Sequence, residues 1–156
     1  MANLAFMRRA IALSEQALHS GEGGPFGALI VKDDRIIAEG QNRVTSANDP
    51  TAHAEIEAIR EACRVLNDFH LHGCEIYTSC EPCPMCLSAI YWAHVERIYY
   101  ANTRQDAAQV GFDDEFLYRE ISTAPAARAI PARQVLANEA RSAFDNWQHK
   151  VDKRGY

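Results

Sequence analysis

The sequence lacks the features that mark membrane and secreted proteins. It contains no run of about 18 apolar residues, the length that suggests a membrane-spanning helix. Near its start, Arg8, Arg9 and Glu15 interrupt the apolar residues, whereas a secretion signal carries a continuous apolar block. We therefore expect a cytoplasmic protein with no membrane span.

The sequence also lacks a basic excess, an internal repeat, a low-complexity tract and a linker. Its 16 lysines and arginines are outnumbered by 21 aspartates and glutamates, which gives a net charge of −5. A domain that binds a phosphate backbone normally carries clustered positive charge, so we expect a small-molecule partner and no nucleic acid. The 156 residues have the length of one domain, and we predict a single domain over 1–156.

The cysteines do not suit a disulfide framework. There are five, an odd number, and Cys80, Cys83 and Cys86 lie close together in one short stretch. Without a secretion signal, this spacing favours metal binding. His53 lies upstream, and imidazole together with thiolates is the ligand set that zinc prefers.

The apolar pattern predicts alternating helices and strands. In chain order these are a helix over 3–20, strands over 26–31 and 35–40, a helix over 52–66 capped by Thr51, a strand over 75–79, a helix from Pro84 and a strand over 97–101. This order predicts a three-layer α/β/α fold, in which helices cover a mixed sheet of about five strands. Weaker patterns predict a short helix over 115–120, an edge strand over 134–136 and a last helix over 137–153.

The number of metal ligands decides what the site can do. If Cys80 joined His53, Cys83 and Cys86, four protein ligands would form a closed structural site. Cys80 lies at a strand end, however, and the Glu81-Pro82 turn separates it from the helix that carries the other two thiols. We therefore predict three protein ligands and a fourth position that is open to water.

Glu55 supplies the predicted site with a proton carrier. An open zinc site lowers the pKa of its bound water to about 7 and so supplies hydroxide at neutral pH. Glu55, two residues after His53 at the mouth of a helix, can take that proton and pass it to a ring nitrogen. The alternative role is structural, because a carboxylate also stabilises the first turn of a helix.

Longer stretches carry a specific resemblance. His-x-Glu followed by Pro-Cys-x-x-Cys is the general signature of zinc deaminases. The sequence is similar to the bacterial guanine deaminases of the cytidine deaminase-like superfamily at GGPFGALIVKD (23–33), EGQN (39–42), NDPTAHAE (48–55), YTSCEPCPMC (77–86), AIYWA (89–93), GFDD (111–114) and the terminal Tyr156. The resemblance implies zinc-dependent hydrolysis of guanine to xanthine and ammonia, with one zinc ion per subunit held by His53, Cys83 and Cys86. Zinc hydroxide would attack the carbon that bears the amino group, with Glu55 as proton shuttle.

The resemblance also implies the residues that bind the base. Asp114 would engage the leaving amino group, and the remaining substrate contacts would come from Phe26, Asn42, Ala54, Trp92 and Tyr156. Phe26 and Trp92 would bound the faces of the ring, and Tyr156 would cover it. The family exchanges its C-terminal segment between subunits, so we expect a homodimer in which about 137–156 is swapped.

Other roles remain open from the residues alone. Asn42 also suits an Asx turn, Phe26 and Trp92 suit a core, Asp114 suits a helix cap, and a terminal Tyr156 ordinarily frays. Alternative substrates are cytosine, isocytosine, an aminotriazine or guanosine. A tRNA adenosine deaminase shares the zinc motifs, and a non-catalytic zinc-stabilised domain is a further alternative of a different class.

Overall fold

The computed structural model describes residues 2–155 and divides the chain into two compact units, Met1–Glu115 and Phe116–Tyr156. In chain order the elements are α1 (Leu4–Ser20), β1 (Gly27–Lys32), β2 (Arg35–Gln41), α2 (Val44–Ala47), α3 (Ala54–Leu66), β3 (Cys74–Cys80), α4 (Pro84–Trp92), β4 (Arg97–Asn102), α5 (Arg104–Gln109), α6 (Glu115–Ser122), a 3₁₀ turn (Pro125–Ala127) and α7 (Ala137–His149).

The first unit is built on a mixed sheet of four strands in the order β2-β1-β3-β4. β1 runs antiparallel to both β2 and β3, whereas β3 and β4 are parallel. The connection through α4 is a strand–helix–strand crossover, the usual way to join parallel strands. β3 is therefore a central strand, and its last residue, Cys80, leads directly to α4.

Helices cover both faces of this sheet. On one face, Ala10 and Leu13 of α1 pack on Leu29, Val31 and Tyr77. On the other face, the small residues of α3 and the apolar side of α4 pack on β1 and β3, as Ala54, Ala58, Ala62, Ile30, Ile76 and Ile90. The predicted three-layer α/β/α architecture is confirmed.

Gly40 sets how closely α3 approaches the sheet. A Cβ atom at this position of β2 would lie 2.1 Å from the carbonyl oxygen of Ala54 and 2.6 Å from the amide nitrogen of Ala58. Contacts below about 3 Å force backbone apart, so only glycine allows this approach. The first turn of α3, which carries Glu55, is thereby held against β2.

Three local predictions were wrong. α3 begins at Ala54, and its N-cap is His53 rather than Thr51, whose hydroxyl instead donates to Asp49 at 2.7 Å. The edge strand predicted over 134–136 is not formed, and Leu136 adopts a left-handed conformation with φ of 53°. Within residues 2–155 the sheet therefore has four strands rather than five. The helix predicted over 137–153 ends at His149.

The second unit differs from the first in its burial. None of its described residues, 116–155, is buried, although α6 and α7 carry apolar side chains such as Phe116, Ile121, Phe144 and Trp147. Across residues 2–155, no helix combines the length and apolar character that a membrane crossing requires.

Candidate active site

Two helix N-termini bring the predicted zinc ligands together. His53 is the N-cap of α3, Cys83 is the N-cap of α4, and Cys86 lies in the first turn of α4. Pro84 occupies the first helical position of α4. Its fixed φ angle suits a helix start, and the N–H that proline lacks would have no partner within the helix at this position. The Cys86 amide, further into the first turn, donates a hydrogen bond to the Cys83 sulfur at 3.5 Å.

The donor atoms fit a tetrahedral zinc ion. His53 Nδ1 lies 3.6 Å from Cys83 Sγ and 3.5 Å from Cys86 Sγ. Bond lengths of 2.3 Å to sulfur and 2.0–2.1 Å to nitrogen at a tetrahedral angle put the two donors about 3.6 Å apart. In the part of the chain from 2 to 155, this is the one group of three such side chains whose ligand atoms all lie within 4.8 Å of one another.

The electrostatics of the site favour a thiolate at Cys83. Its hydrogen bonds from the Cys86 thiol, His53 and the Cys86 amide lower the pKa of Cys83 to about 4. The Cys86 thiol donates a hydrogen bond to Cys83 and is buried, and both effects raise its pKa. The hydrogen bond to Cys83 also raises the pKa of His53. One negative charge is thus already in place for a cation.

Cys80 is not part of this group. Its sulfur lies 3.6 Å from the backbone oxygen of Thr103, and burial raises the pKa of this thiol to about 11. A neutral thiol turned to a carbonyl is not a metal ligand. The group therefore has three protein ligands, as an open zinc site requires.

Glu55 lies beside the ligands and is only 6% exposed. Its Oε1 accepts a hydrogen bond from Thr78 Oγ1 at 3.1 Å, and its Oε2 lies 3.4 Å from Cys86 Sγ. Burial raises the pKa of Glu55, because apolar surroundings destabilise the charged carboxylate. A buried carboxyl group beside a metal-bound water is the type of group that serves as a general acid–base.

A cavity of about 490 Å³ opens onto these groups. It lies within the first unit, and its lining includes Phe26, Asn42, His53, Glu55, Phe112 and Asp114. Phe26 and Phe112 meet edge to face with ring centres 4.9 Å apart. The volume is in the range of small-molecule sites, and the mixture of aromatic walls and few polar groups is typical of them.

Asn42 presents hydrogen-bond donors to this cavity. Its Oδ1 accepts from the amides of Gly24 and Val44, both at 3.2 Å. A Cβ on Gly23 would lie 2.2 Å from Oδ1, so glycine there allows the loop to close on the side chain. With both lone pairs of the amide oxygen engaged, the NH₂ group is what remains for a ligand.

Asp114 provides the complementary acceptor. It is partly buried at the cavity wall, and desolvation, followed by the nearby Cys83 thiolate, raises its pKa. Asn42 and Asp114 together give the cavity one donor and one acceptor. A flat heteroaromatic ring with both kinds of edge group fits such a pair.

The structure brings together His53, Glu55, Cys83, Cys86, Phe26, Asn42 and Asp114. Ala54 is buried between His53 and Glu55 and does not line the cavity. Trp92, the last residue of α4, is 64% exposed and does not line it either. Tyr156 lies outside the described residues.

Sequence reasoning missed Phe112 and Thr78. Phe112 lies within the GFDD stretch, whose aromatic residue was not assigned a role. Thr78 lies two residues after Ile76 on β3, and side chains two apart share a face of a strand. That alternation could have placed Thr78 opposite α3.

The comparisons with known proteins agree with this geometry. Residues 2–102 match the family model described as cytidine and deoxycytidylate deaminase zinc-binding region. Guanine deaminase from Bacillus subtilis is 54% identical over 151 residues, covering 97% of each chain. A tRNA-specific adenosine deaminase from Aquifex aeolicus is 44% identical over 96 residues, covering 62% of this chain and 63% of that protein.

Solved structures show the same relationship. The X-ray structure of guanine deaminase from Bacillus subtilis superposes with a TM-score of 0.96 at 52% identity, covering 100% of this chain and 99% of that chain. A guanine deaminase from Nitrosomonas europaea gives a TM-score of 0.68 at 34% identity, covering 72% of this chain and 65% of its own. The predicted resemblance to bacterial guanine deaminases is confirmed, and the chain belongs to the cytidine and deoxycytidylate deaminase family of zinc enzymes.

Proposed function

We propose that this chain hydrolyses guanine to xanthine and ammonia at the site formed by His53, Cys83, Cys86 and Glu55. The observation that carries the proposal is one cavity, in which a three-ligand metal group and a buried carboxyl group face a donor, Asn42, and an acceptor, Asp114. The similarity to guanine deaminases along nearly the whole chain supports guanine over other bases.

The residues would divide the reaction between them. Zinc, held by His53, Cys83 and Cys86, would activate water for attack on the amino-bearing carbon. Glu55 would accept the proton released from that water and donate it to the adjacent ring nitrogen. Asp114 would accept a hydrogen bond from the amino group and, with Glu55, assist its departure as ammonia.

Asn42 and the aromatic residues would orient the base. The Asn42 NH₂ group would donate to an acceptor on the purine, while Phe26 and Phe112 would contact its surface. Ala54, Trp92 and Tyr156 remain predicted substrate contacts. Holding the base in one orientation places the reacting carbon near the activated water, an effect that can be worth several orders of magnitude in rate.

Ammonia release from a panel of substrates tests this proposal. The zinc-loaded chain should release ammonia from guanine faster than from guanosine, cytosine, isocytosine, an aminotriazine or adenosine. Faster ammonia release from another base would support hydrolytic deamination but would contradict guanine as the substrate. Activity on an adenosine-containing tRNA stem-loop would favour the tRNA deaminase alternative. No ammonia from any of them, with zinc bound, would favour a non-catalytic domain.

We also propose that two chains exchange the segment of about 137–156 and form a homodimer. Isolated helices of 8 and 13 residues, such as α6 and α7, are marginal in water unless an apolar face is covered. Phe144 and Trp147 are three residues apart on α7 and exposed. A second copy would cover this surface, and its Tyr156 would close the cavity.

Complementation between two inactive variants tests the exchange. One chain carries Glu55→Gln with an intact tail, and the other lacks 153–156 with an intact Glu55. If tails are exchanged, unfolding and refolding the mixture should restore activity at about a quarter of the sites. The exchanged lid would be contradicted if the truncated chain were fully active alone. It would also be contradicted if the refolded mixture stayed inactive.

A cytoplasmic location remains part of the proposal. All five cysteines are unpaired, and zinc-binding thiols need a compartment that keeps them reduced.

A further inference from the structure

Thr78 is placed to control the general acid–base residue. It is 1% exposed on the central strand β3, opposite Ala28 of β1 and Tyr100 of β4. Its side chain shares a face with Ile76, which packs on α3, and its hydroxyl reaches Glu55 Oε1 at 3.1 Å. A β-branched side chain on a strand has few rotamers, so this hydroxyl is held in place.

The two oxygens of Glu55 differ in their partners. Oε1 accepts from the Thr78 hydroxyl, whereas Oε2 lies 3.4 Å from Cys86 Sγ, on the side of the metal ligands. A thiol that binds zinc gives up its proton, so Cys86 then has no proton to donate to Oε2. Thr78 is not one of the metal ligands, so its hydroxyl keeps the proton that it donates to Oε1.

We propose that Thr78 is a positioning residue, whose hydroxyl fixes Oε1 of Glu55 and leaves Oε2 as the oxygen that carries the proton. This inference rests on the proposed function. Water would give its proton to Oε2, and the same oxygen would deliver that proton to the ring nitrogen, while Oε1 keeps its hydrogen bond throughout. Without the hydroxyl, Oε1 would lose its side-chain hydrogen bond, and the buried carboxyl group, left with the backbone amide of Glu55, would be held less firmly.

The first test compares Thr78→Val with Thr78→Ser in the zinc-loaded chain. Valine has nearly the shape of threonine and lacks the hydroxyl, whereas serine keeps the hydroxyl and lacks the methyl group. A misplacement of about 1 Å can reduce a rate by about 100-fold. We therefore expect kcat of the Val variant to fall about 10–100-fold, with KM within about threefold and zinc content unchanged. The Ser variant should recover most of kcat.

Thr51→Val is the matched control. The Thr51 hydroxyl is exposed and donates to Asp49, so its loss should leave kcat unchanged. A Thr78→Val variant with wild-type kcat would overturn the proposal. Equal losses in the Val and Ser variants would also overturn it, because the methyl group rather than the hydroxyl would then matter.

The second test measures the hydrogen bond without activity. Urea unfolding of the zinc-loaded wild type, Thr78→Val, Glu55→Met and the double variant forms a double-mutant cycle, since methionine has nearly the length of glutamate and offers no oxygen to the Thr78 hydroxyl. We expect the two sites to be coupled by about tenfold in the unfolding equilibrium constant, because a hydrogen bond to a buried carboxylate is strong. Independent effects of the two substitutions would contradict the proposed link.

The two proposals fail in different ways. If the wild type is active and the cycle shows no coupling, only the role of Thr78 is wrong. If the wild type prefers another base, the proposed substrate is wrong, and the Val and Ser variants are compared on that base. If the wild type releases ammonia from no base, both the deaminase function and the positioning role fail, although the coupling still reports the hydrogen bond.

Discussion

At the scale of single residues, the site combines thiol groups whose pKa values are shifted in opposite directions. The same hydrogen-bond network lowers the pKa of Cys83 to about 4 and raises that of Cys86. A cation that displaces the proton of Cys86 is bound by two thiolates. Metal binding and proton release are therefore coupled in this site.

Zinc affinity should consequently rise with pH. In the metal-free chain Cys83 is already a thiolate at neutral pH, whereas Cys86 retains its proton and the raised pKa of His53 favours its protonated form. Zinc must displace the Cys86 proton, so we expect the apparent Kd to fall about tenfold per pH unit for each proton released. Competition with a chelator at pH 6, 7 and 8 measures this, and a pH-independent Kd would contradict the assignment.

Asn42→Asp should separate recognition from folding. The carboxylate can still accept from the amides of Gly24 and Val44, so the loop should keep its conformation. It can no longer donate to the base, and we expect kcat/KM for guanine to fall at least 100-fold, since a buried hydrogen-bond partner is left unpaired. Far-ultraviolet circular dichroism and zinc content serve as controls; wild-type kcat/KM would show that the NH₂ group does not contact the substrate.

The zinc ligands and Glu55 could be predicted from sequence because residue type and spacing together limit their chemistry. Phe112 and Thr78 could not, because an aromatic residue in a loop and a threonine in a strand are compatible with many environments. Their roles depend on which side chains the fold brings opposite them. Trp92 stays a prediction, because its motif was recognised from sequence but this residue does not line the cavity within one chain.

At the scale of elements, the site depends on how closely α3 and α4 approach the sheet. α3 presents His53 and Glu55, and α4 presents Cys83 and Cys86, each from its first turn or N-cap. The partial positive charge at both helix ends favours the thiolates. Apolar periodicity predicted both helices, but the start of α3 was misplaced because Thr51 looked like a better N-cap than His53.

Gly40→Ala should disturb the metal site through α3. The added Cβ would meet the Ala54 carbonyl oxygen at 2.1 Å and push the helix from β2. We expect the chain to lose about 1–3 kcal/mol of stability, as in other overpacked sites, and to hold zinc less tightly. Gly21→Ala is the control, because its φ of +70° strains the backbone by about 1–2 kcal/mol but its Cβ meets nothing within 4 Å. If both variants bind zinc with the same affinity, the close approach of α3 to β2 does not determine zinc binding.

At the scale of the whole molecule, the two units differ in how far sequence could predict them. The first unit forms its own core, and alternating patterns predicted α1, α3, α4 and the four strands but not the short helices α2 and α5. In the second unit no described residue is buried, and the segment predicted as a strand over 134–136 pairs with no strand of residues 2–155. The proposed exchange would supply the surface that this unit lacks within one chain.

The most direct test of the proposed chemistry is product analysis in ¹⁸O-labelled water. The zinc-loaded wild type should convert guanine to equal amounts of xanthine and ammonia, with one labelled oxygen in each xanthine. Glu55→Gln should retain zinc and lower the rate by about 10²–10⁴-fold, the usual contribution of a general acid–base residue. A zinc-loaded wild type that forms no xanthine, or a Glu55→Gln variant within about tenfold of its rate, would contradict hydrolytic deamination by this site.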